Sequence, residues 1–231
     1  MHHGIRKLVL LGAGHAHVHV LSRLARHRPA DLDITVVTPY PYQTYSGMTR
    51  GLVAGHYREQ DCQIPLAPLI KAAGAKWVQA RCTGIDANGR RVRLSPAAHS
   101  RSQDDIPPPE LSYHLLSIDT GAVIDRQRLD ADMPGASANA LFVRPIEVFA
   151  SMWPEVLAQA QDRALSMAVI GAGAGGLELL FAAEQRLRTH ARGARFTLIT
   201  GGGEPGANYP KGVQARLLRR LRHLNITVLR D

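Results

Sequence analysis

The feature that most constrains the fold is a glycine-rich turn that occurs twice, each time between an apolar run and a helical pattern. The letters GAGHAH occupy residues 12–17 after the apolar run 5–11, and GAGAGG occupies 171–176 after 166–170. Glycine permits a tight turn, and the N-terminus of the helix that follows offers free N–H groups to a diphosphate. The repeat therefore predicts an α/β fold with two dinucleotide-binding units.

The two copies differ at the third glycine position. Gly176 completes the pattern GxGxxG in the second copy, whereas His17 stands there in the first. A small residue normally lets the helix pack against the strand, so His17 predicts a wider gap between them. For each copy the alternative is a tight turn that binds nothing.

Hydrophobic periodicity predicts the other elements. Strand-helix-strand units stand at both ends of the chain, and a β-rich insertion with a hairpin at Asn88-Gly89 separates them. Loops are expected over residues 40–64 and 95–110, and Pro154 is a candidate break in the helix 145–162. The expected strands are 5–11, 33–37, 77–85, 91–94, 111–118, 166–170, 195–199 and 226–229, and the other expected helices are 16–26, 64–73, 177–187 and 211–223.

Composition and charge narrow the function classes. The 231 residues are 45% hydrophobic and 20% charged, which is ordinary for a globular chain. The formal net charge of +9 suits an anionic partner, such as nucleic acid, an acidic membrane surface or a phosphate-bearing cofactor. Aromatic residues make up only 5%, without the interleaved aromatics of nucleic-acid modules, so specific nucleic-acid binding is not expected.

The two cysteines, Cys62 and Cys82, exclude a disulfide framework and a redox dithiol of the usual spacing. The apolar run 8–11 is too short for the core of a signal peptide, and no stretch approaches the length of a bilayer span. A reducing, cytoplasmic location is therefore the default expectation.

Three histidines alternate in the first turn and helix. His15 and His19 form an i, i+4 pair that could bind a metal ion, while His17 points elsewhere. No third ligand is evident, and His15 lies where a bound diphosphate would need the space. We therefore expect no metal site here.

The ends of the second strands lack the acidic residue that usually binds a ribose hydroxyl. The first unit ends in Thr38-Pro39 and the second in Thr200-Gly201. Threonine can hydrogen-bond a ribose, so Thr200 remains a candidate contact. The sequence does not choose between NADH and NADPH.

Several segments together resemble a known family. In chain order they are GAGHAHVHVL, TPYPYQTYSGMTRGLVAGHY, ARCTGIDANGRRVRL, LLSIDTGA and AVIGAGAGGLELLFAAEQRL. They are similar to flavoproteins with two dinucleotide-binding domains, of the type II NADH dehydrogenase-like branch of the pyridine nucleotide-disulfide oxidoreductase superfamily. That branch includes members fused to selenide, water dikinase. The resemblance runs from about residue 5 to the C-terminus and implies the three-layer, Rossmann-like FAD/NAD(P)-binding fold.

The resemblance also implies cofactor contacts. For FAD, the residues at the diphosphate, the adenosine, the flavin and the closing turn are Gly12, Ala13, Gly14, His15, Ala16, Thr38, Pro39, Ser46, Gly47, Met48, Cys82, Thr120 and Gly121. For NAD(P)H they are Gly171, Gly173, Gly176 and, beside the nicotinamide, Glu178. Alternatively, Glu178 is a helix N-terminal glutamate stabilised by the dipole, and residues 46–48 are a loop turn.

Two parts of the family pattern have no match. One is the return of the chain into the first domain with an aspartate-containing segment for the flavin. The other is a C-terminal domain that meets a quinone or forms a dimer. We therefore expect a truncated chain, with residues 1–143 as the N-terminal part of an FAD-binding domain and residues 144–231 as an incomplete NAD(P)-binding domain.

The implied function is that of an FAD-dependent oxidoreductase, which passes hydride from NAD(P)H to the flavin and then electrons to an acceptor such as a quinone. The chemistry belongs to the cofactor, so no catalytic acid or nucleophile is required. A nucleotide-binding or regulatory module without turnover stays open as the alternative. Also open are a homodimer and a weak contact with the inner face of the membrane through the basic helix 211–223.

Overall fold

The computed structural model describes residues 4–97, 108–190 and 193–230. Its strands are β1 (Arg6–Leu11), β2 (Leu32–Val37), β3 (Tyr42–Thr44), β4 (Gln63–Pro65), β5 (Lys76–Val78), β6 (Ala80–Asp86), β7 (Arg91–Pro96), β8 (Glu110–Ser112), β9 (Leu115–Ile118), β10 (Ser166–Ile170), β11 (Arg195–Ile199) and β12 (Thr227–Leu229). Its helices are α1 (His15–Leu24), α2 (Thr49–Ala54), α3 (Leu66–Ala72), α4 (Arg126–Asp132), α5 (Ala136–Asn139), α6 (Ile146–Asp162), α7 (Ala174–His190) and α8 (Lys211–His223).

The chain forms two compact units. The first contains Met1–Tyr45 and Gln63–Glu147, and the second contains Ser46–Cys62 and Val148–Asp231. The sequence boundary after residue 143 lies close to the one between 147 and 148. Residues 46–62 belong to the second unit in this division.

The first unit has three layers around a parallel sheet of order β5-β2-β1-β9. Alternate residues of β1 and β2 face opposite sides of this sheet, as the pleat requires. One side packs against the helices α1 and α3, with a core of Leu10, Leu21, Ile34, Val36, Leu66 and Ile70. The other side packs against the antiparallel sheet β6-β7-β8, with a core of Val9, Leu11, Val37, Ala80, Val92 and Leu94. The expected three-layer α/β fold with a β-rich insertion is confirmed.

The second unit is built on the parallel sheet β10-β11-β12. Its largest fully buried side chains come from α2, α7, α8 and β11, and they are Val53, Leu180, Leu187, Leu198 and Leu221. Pro154 lies inside α6 without ending it, so the candidate break is wrong. Within the described ranges, no helix is long and apolar enough to cross a membrane.

Two predicted strands are each divided in the structure. The run 77–85 becomes β5, which pairs with β2, and β6, which pairs with β7. The run 111–118 becomes β8, which pairs with β7, and β9, which pairs with β1. In both places the chain passes between the parallel sheet and the insertion while its apolar pattern continues, so periodicity alone did not detect the passage.

The expected loop over 40–64 is wrong in part, since it contains β3, β4, α2 and two short 3-10 helices, Ser46–Met48 and Glu59–Cys62. The glycines concealed α2. Gly51 packs against the ring of Tyr57, and Gly55 ends the helix with φ of +82°. The short helices α4 and α5 lie where no helix was predicted. Of the loop 95–110, residues 98–107 lie outside the described residues.

Candidate functional site

The first glycine turn connects β1 to α1. Gly12 has φ of +87°, and its N–H donates to the carbonyl of Val37 over 2.8 Å. A Cβ on Gly12 would clash with the backbone carbonyl of Asp119, which follows β9. Both the backbone conformation and the close approach therefore require glycine at this position.

Asp119 holds this turn at three points. Its N–H donates to the carbonyl of Leu11 at 2.7 Å, and its own carbonyl accepts the N–H of Gly14 at 3.1 Å. Its carboxylate accepts the N–H of His17 at 2.9 Å, and a Cβ on Gly14 would lie 2.5 Å from a carboxylate oxygen. The carboxylate thus lies at the N-terminus of α1. The N–H groups of Ala16 and His15 in the same first turn have no partner within the helix.

His17 takes the third glycine position and is only 1% exposed. Its Nδ1 lies 2.7 Å from the carbonyl oxygen of Gly12, which can only accept, so Nδ1 carries the hydrogen and donates it. Its Nε2 lies 2.8 Å from Oγ of Ser117 on β9. The ring is therefore buried between α1, the turn and the sheet, and its two nitrogens contact the turn and β9.

The other first-unit candidates surround this turn less closely. Thr38 is buried, and its N–H donates to the carbonyl of Val78 at 3.2 Å. Cys82 is half-buried beside a β-bulge. Thr120 and Gly121 are exposed, and Gly121 has φ of +72°. Pro39 follows Thr38, and its carbonyl accepts from Nε2 of Gln79 at 3.2 Å.

Within the described residues, His15 is not part of a metal-binding group. Its ring packs edge-on against Tyr45 with the centroids 5.0 Å apart. Among the residues that the structure describes, no group of three or more His, Cys, Asp or Glu side chains could hold a metal ion.

The second glycine turn connects β10 to α7 and is open. Gly171 has φ of +109°, and its N–H donates to the carbonyl of Ile199 at 2.9 Å. A Cβ on Gly176 would overlap the carbonyl of Gly171, so this glycine allows the helix to approach the turn. By contrast, a Cβ on Gly173 or Gly175 would meet nothing within 4 Å. The first turn of α7 therefore presents its N–H groups to unfilled space.

Glu178 on α7 forms an ion pair with Arg50 of α2. Arg50 also donates to the carbonyl of Gly47 at 3.2 Å, so it connects Glu178 to the segment Ser46–Met48. All of these residues belong to the second unit. Arg50 was not predicted as a site residue, because no spacing pattern distinguishes an arginine in a glycine-rich stretch.

Thr200 directly follows β11, and its hydroxyl donates to the carbonyl of Gly203 at 2.7 Å. Glu204, in the same loop, is paired with Arg230 at 2.8 Å. Arg230 directly follows β12, the neighbour of β11. This carboxylate was not predicted, because it does not lie directly at the end of the strand, where the ribose-binding residue usually stands. Glu204 is the first acidic residue after β11, which was the available signal.

Cys62 and Cys82 are both free thiols. Burial raises the pKa of the Cys62 thiol, and the negative charges of Asp61 and Glu59 raise it further. A thiol with a raised pKa is a poor nucleophile at neutral pH. The cysteines therefore provide no support for dithiol chemistry.

Known proteins are similar in sequence to parts of this chain. The chain is 29% identical over 91 residues to a type II NADH:quinone oxidoreductase of Staphylococcus haemolyticus, which is 39% of this chain and 23% of that protein. It is 25% identical over 185 residues to a probable NADH dehydrogenase of Dictyostelium discoideum, which is 74% of this chain and 38% of that one.

Solved structures show the same fold. NDH2 from Plasmodium falciparum in complex with NADH has a TM-score of 0.74 at 17% identity, over 97% of this chain and 48% of that one. The water-forming NADH oxidase from Lactobacillus brevis bound to NADH has a TM-score of 0.74 at 17% identity, over 97% of this chain and 46% of that one.

This chain spans less than half the length of each of these four proteins. A family described as pyridine nucleotide-disulphide oxidoreductase matches residues 6–231, which include both glycine turns. The chain therefore belongs to the pyridine nucleotide-disulphide oxidoreductase family.

Proposed function

We propose that this chain carries the two nucleotide sites of an FAD-dependent NAD(P)H oxidoreductase. NAD(P)H binds at the second glycine turn, FAD binds at the first, and the electrons pass to an acceptor such as a quinone. The observation that carries the proposal is the pair of strand-turn-helix units, each on its own parallel sheet. The family match and the names of the relatives, which include a quinone oxidoreductase, support it.

The second turn fits the diphosphate of NAD(P)H. The backbone N–H groups of Ala174, Gly175 and Gly176 lie at the N-terminus of α7, where the helix dipole favours an anion. No side chain would stand in the way at Gly173 or Gly175. The candidate ribose contacts are Thr200 and the Glu204–Arg230 pair, which follow the ends of β11 and β12.

The first turn fits the diphosphate of FAD through the N–H groups of His15 and Ala16 and the left-handed turn at Gly12. When bound, FAD would supply the two-electron chemistry that accepts hydride and returns electrons to an acceptor. The protein's part is to position the cofactor and to exclude competing reactions. In our proposal this site also includes Ala13, Thr38, Pro39, Cys82, Thr120 and Gly121.

Glu178 is proposed to act at the nicotinamide end of the second site. It lies beyond the first turn of α7, where the helix dipole has little effect, so the dipole alone does not account for it. Arg50 fixes its carboxylate instead and also holds Gly47, next to Ser46 and Met48. The pair keeps a charged carboxylate in one orientation.

The experiment is an absorbance titration of the purified 231-residue chain. The protein is incubated with FAD, freed of excess, and then given NADH or NADPH without oxygen. We expect retained flavin bands that bleach on addition of the nicotinamide. A protein that retains no flavin, or whose flavin bands do not respond, contradicts the proposal. The variant Gly173→Val serves as the control, because it should keep flavin but lose the bleaching.

A nucleotide-binding module without turnover is the second candidate, and one observation favours it. The Asp119 carboxylate lies at the α1 tip, where FAD would place its own negative charges. A module of this kind would bind ADP-ribose at the second turn and would bind no FAD. Calorimetry with both ligands separates the two candidates.

We also propose a peripheral contact with an anionic membrane surface at the cytoplasmic face, carried by α8. Its cations Lys211, Arg216, Arg219, Arg220 and Arg222 are exposed, and the helix has no acidic residue. Leu221 is buried and Leu217 and Leu218 are half-buried, while Val213 is exposed, so the contact is mainly electrostatic with a small apolar part. Sedimentation with anionic vesicles should fall at high salt. The homodimer stays a prediction, and light scattering of the protein without vesicles measures it.

A further inference from the structure

The first glycine turn carries a negative charge that the second turn does not. The Asp119 carboxylate accepts the N–H of His17, the third residue of α1, at 2.9 Å. This N–H belongs to the first turn of the helix, whose donors are the ones that an anion would use. The carboxylate therefore already takes part of the capacity of the α1 tip to bind a diphosphate.

The charge of Asp119 is also uncompensated by a side chain. Within the described residues it makes no ion pair, and its polar partners are backbone groups of Leu11, Gly14 and His17. It lies so close to the turn that a Cβ on Gly14 would be 2.5 Å from a carboxylate oxygen. A diphosphate at this tip would meet a like charge a few ångströms away.

The position of Asp119 is fixed by the fold, so it cannot easily move away. Its N–H and carbonyl bond to Leu11 and Gly14, and it directly follows β9 in the sheet. Ser117, two residues earlier, holds the ring of His17. The backbone that places the carboxylate is thus the backbone that shapes the turn.

We propose that Asp119 sets the affinity of the first turn: its carboxylate competes with a nucleotide diphosphate for the N-terminus of α1, so that FAD binds less tightly than it would without this charge. This inference rests on the proposed function, since it assumes that the first turn is the FAD site. It makes Asp119 a determinant of cofactor affinity that acts through charge.

The test is calorimetric titration of the 231-residue chain with FAD and with ADP. Asp119→Asn keeps an oxygen that accepts the N–H of His17 and removes the charge. We expect both ligands to bind about tenfold more tightly to this variant at low salt, because a like charge at this range is weakly screened. In 1 M NaCl, where the screening length falls to about 3 Å, the difference should shrink. A purely structural role would not depend on salt.

Asp125→Asn is the matched control, because the Asp125 side chain also accepts a backbone N–H at a helix N-terminus, from Arg128 in α4. It should leave both affinities unchanged. Equal or weaker binding by Asp119→Asn, or a gain that persists at high salt, overturns the inference. If wild type binds FAD but the variant gains nothing, only this inference fails. If neither protein binds FAD while ADP-ribose still binds, the proposed flavin site fails as well.

Discussion

The two glycine turns start with the same letters, GAG, but their glycines serve different contacts. In the first turn, Gly12 and Gly14 are needed because Asp119 presses against them. In the second, Gly173 and Gly175 face open space, and only Gly176 is required by a close contact of the chain with itself. The first turn is thus held closely by a distant part of the chain, whereas the second has open space beside two of its glycines.

A glycine pattern therefore predicts the path of the backbone but does not identify what binds at the turn. A positive φ and a close approach explain Gly12 whether or not a nucleotide ever binds there. The open glycines of the second turn have no such internal reason. Open space at a helix N-terminus is therefore the stronger indication of an anion site.

The largest expected effect comes from Gly12→Ala. The added Cβ is forced onto positive φ and into the carbonyl of Asp119, so we expect a loss of about 3 kcal/mol or more in the free energy of unfolding. Urea denaturation followed by circular dichroism measures it. Gly173→Ala is the control and should differ from wild type by less than about 0.5 kcal/mol. If Gly12→Ala unfolds with the same free energy as wild type, glycine is not required at this position.

The variant His17→Gly restores the usual motif and should nevertheless destabilise the chain. It removes a buried ring with bonds to Gly12 and Ser117, and it leaves a cavity, at a cost of about 2–4 kcal/mol. Ser117→Ala deletes only one of these bonds and should cost about 1 kcal/mol. A chain that melts at the wild-type temperature after His17→Gly shows that the ring is not needed to close the turn.

Gly173→Val tests the second turn through binding alone. Its side chain projects into space that the protein does not use, so the melting temperature should hold while the affinity for ADP-ribose falls at least about tenfold. Gly4→Val, also in open space but before β1, is the control and should bind normally. Unchanged affinity in Gly173→Val would mean that the open turn is not the nucleotide site.

Glu204→Gln sharpens the ribose end of the second site. Loss of the charge removes repulsion of a 2′-phosphate and releases Arg230, so the affinity ratio of 2′-phospho-ADP-ribose to ADP-ribose should rise about fivefold. Asp31→Asn breaks an exposed ion pair of the same kind, with Arg6, and is the control. If both variants leave the ratio at the wild-type value, the Glu204–Arg230 pair has no part in nucleotide choice.

The smallest expected effect is on stability in Glu178→Gln. Glu178 and Arg50 are both about half exposed, at 48% and 47%, so the loss should stay below about 0.5 kcal/mol. If the rate of flavin bleaching by NADH falls while the stability is kept, the lower rate reports the role of Glu178 at the nicotinamide. A normal rate leaves only the interpretation of a surface ion pair.

Much of the fold could be predicted because its periodicities are local. The βαβ pattern, the hairpin at Asn88-Gly89 and the helix α8 all follow from neighbouring residues. The divided strands at 77–85 and 111–118 could not be predicted, since the partner of each half is chosen by distant residues. The helix α2 was hidden by glycines whose role, packing on Tyr57 and ending the helix, exists only in three dimensions.

The site divides in the same way. The glycine positions could be predicted from the sequence because the turn requires glycines at that spacing. Asp119 was not singled out, since it lies more than a hundred residues from the turn that it holds. Arg50 and Glu178 are likewise distant in sequence and meet only through the packing of α2 on α7. Contacts of this kind carry no periodic signal.

The position of β1 in its sheet has a consequence for biosynthesis. β1 lies between β2, which follows it closely, and β9, which is made about a hundred residues later. On the ribosome, the nascent β1 keeps one unpaired edge from the emergence of β2 until Leu115–Ile118 appears. Unpaired edges invite pairing with other chains, so slow translation over the insertion would prolong the period in which this protein is prone to aggregate.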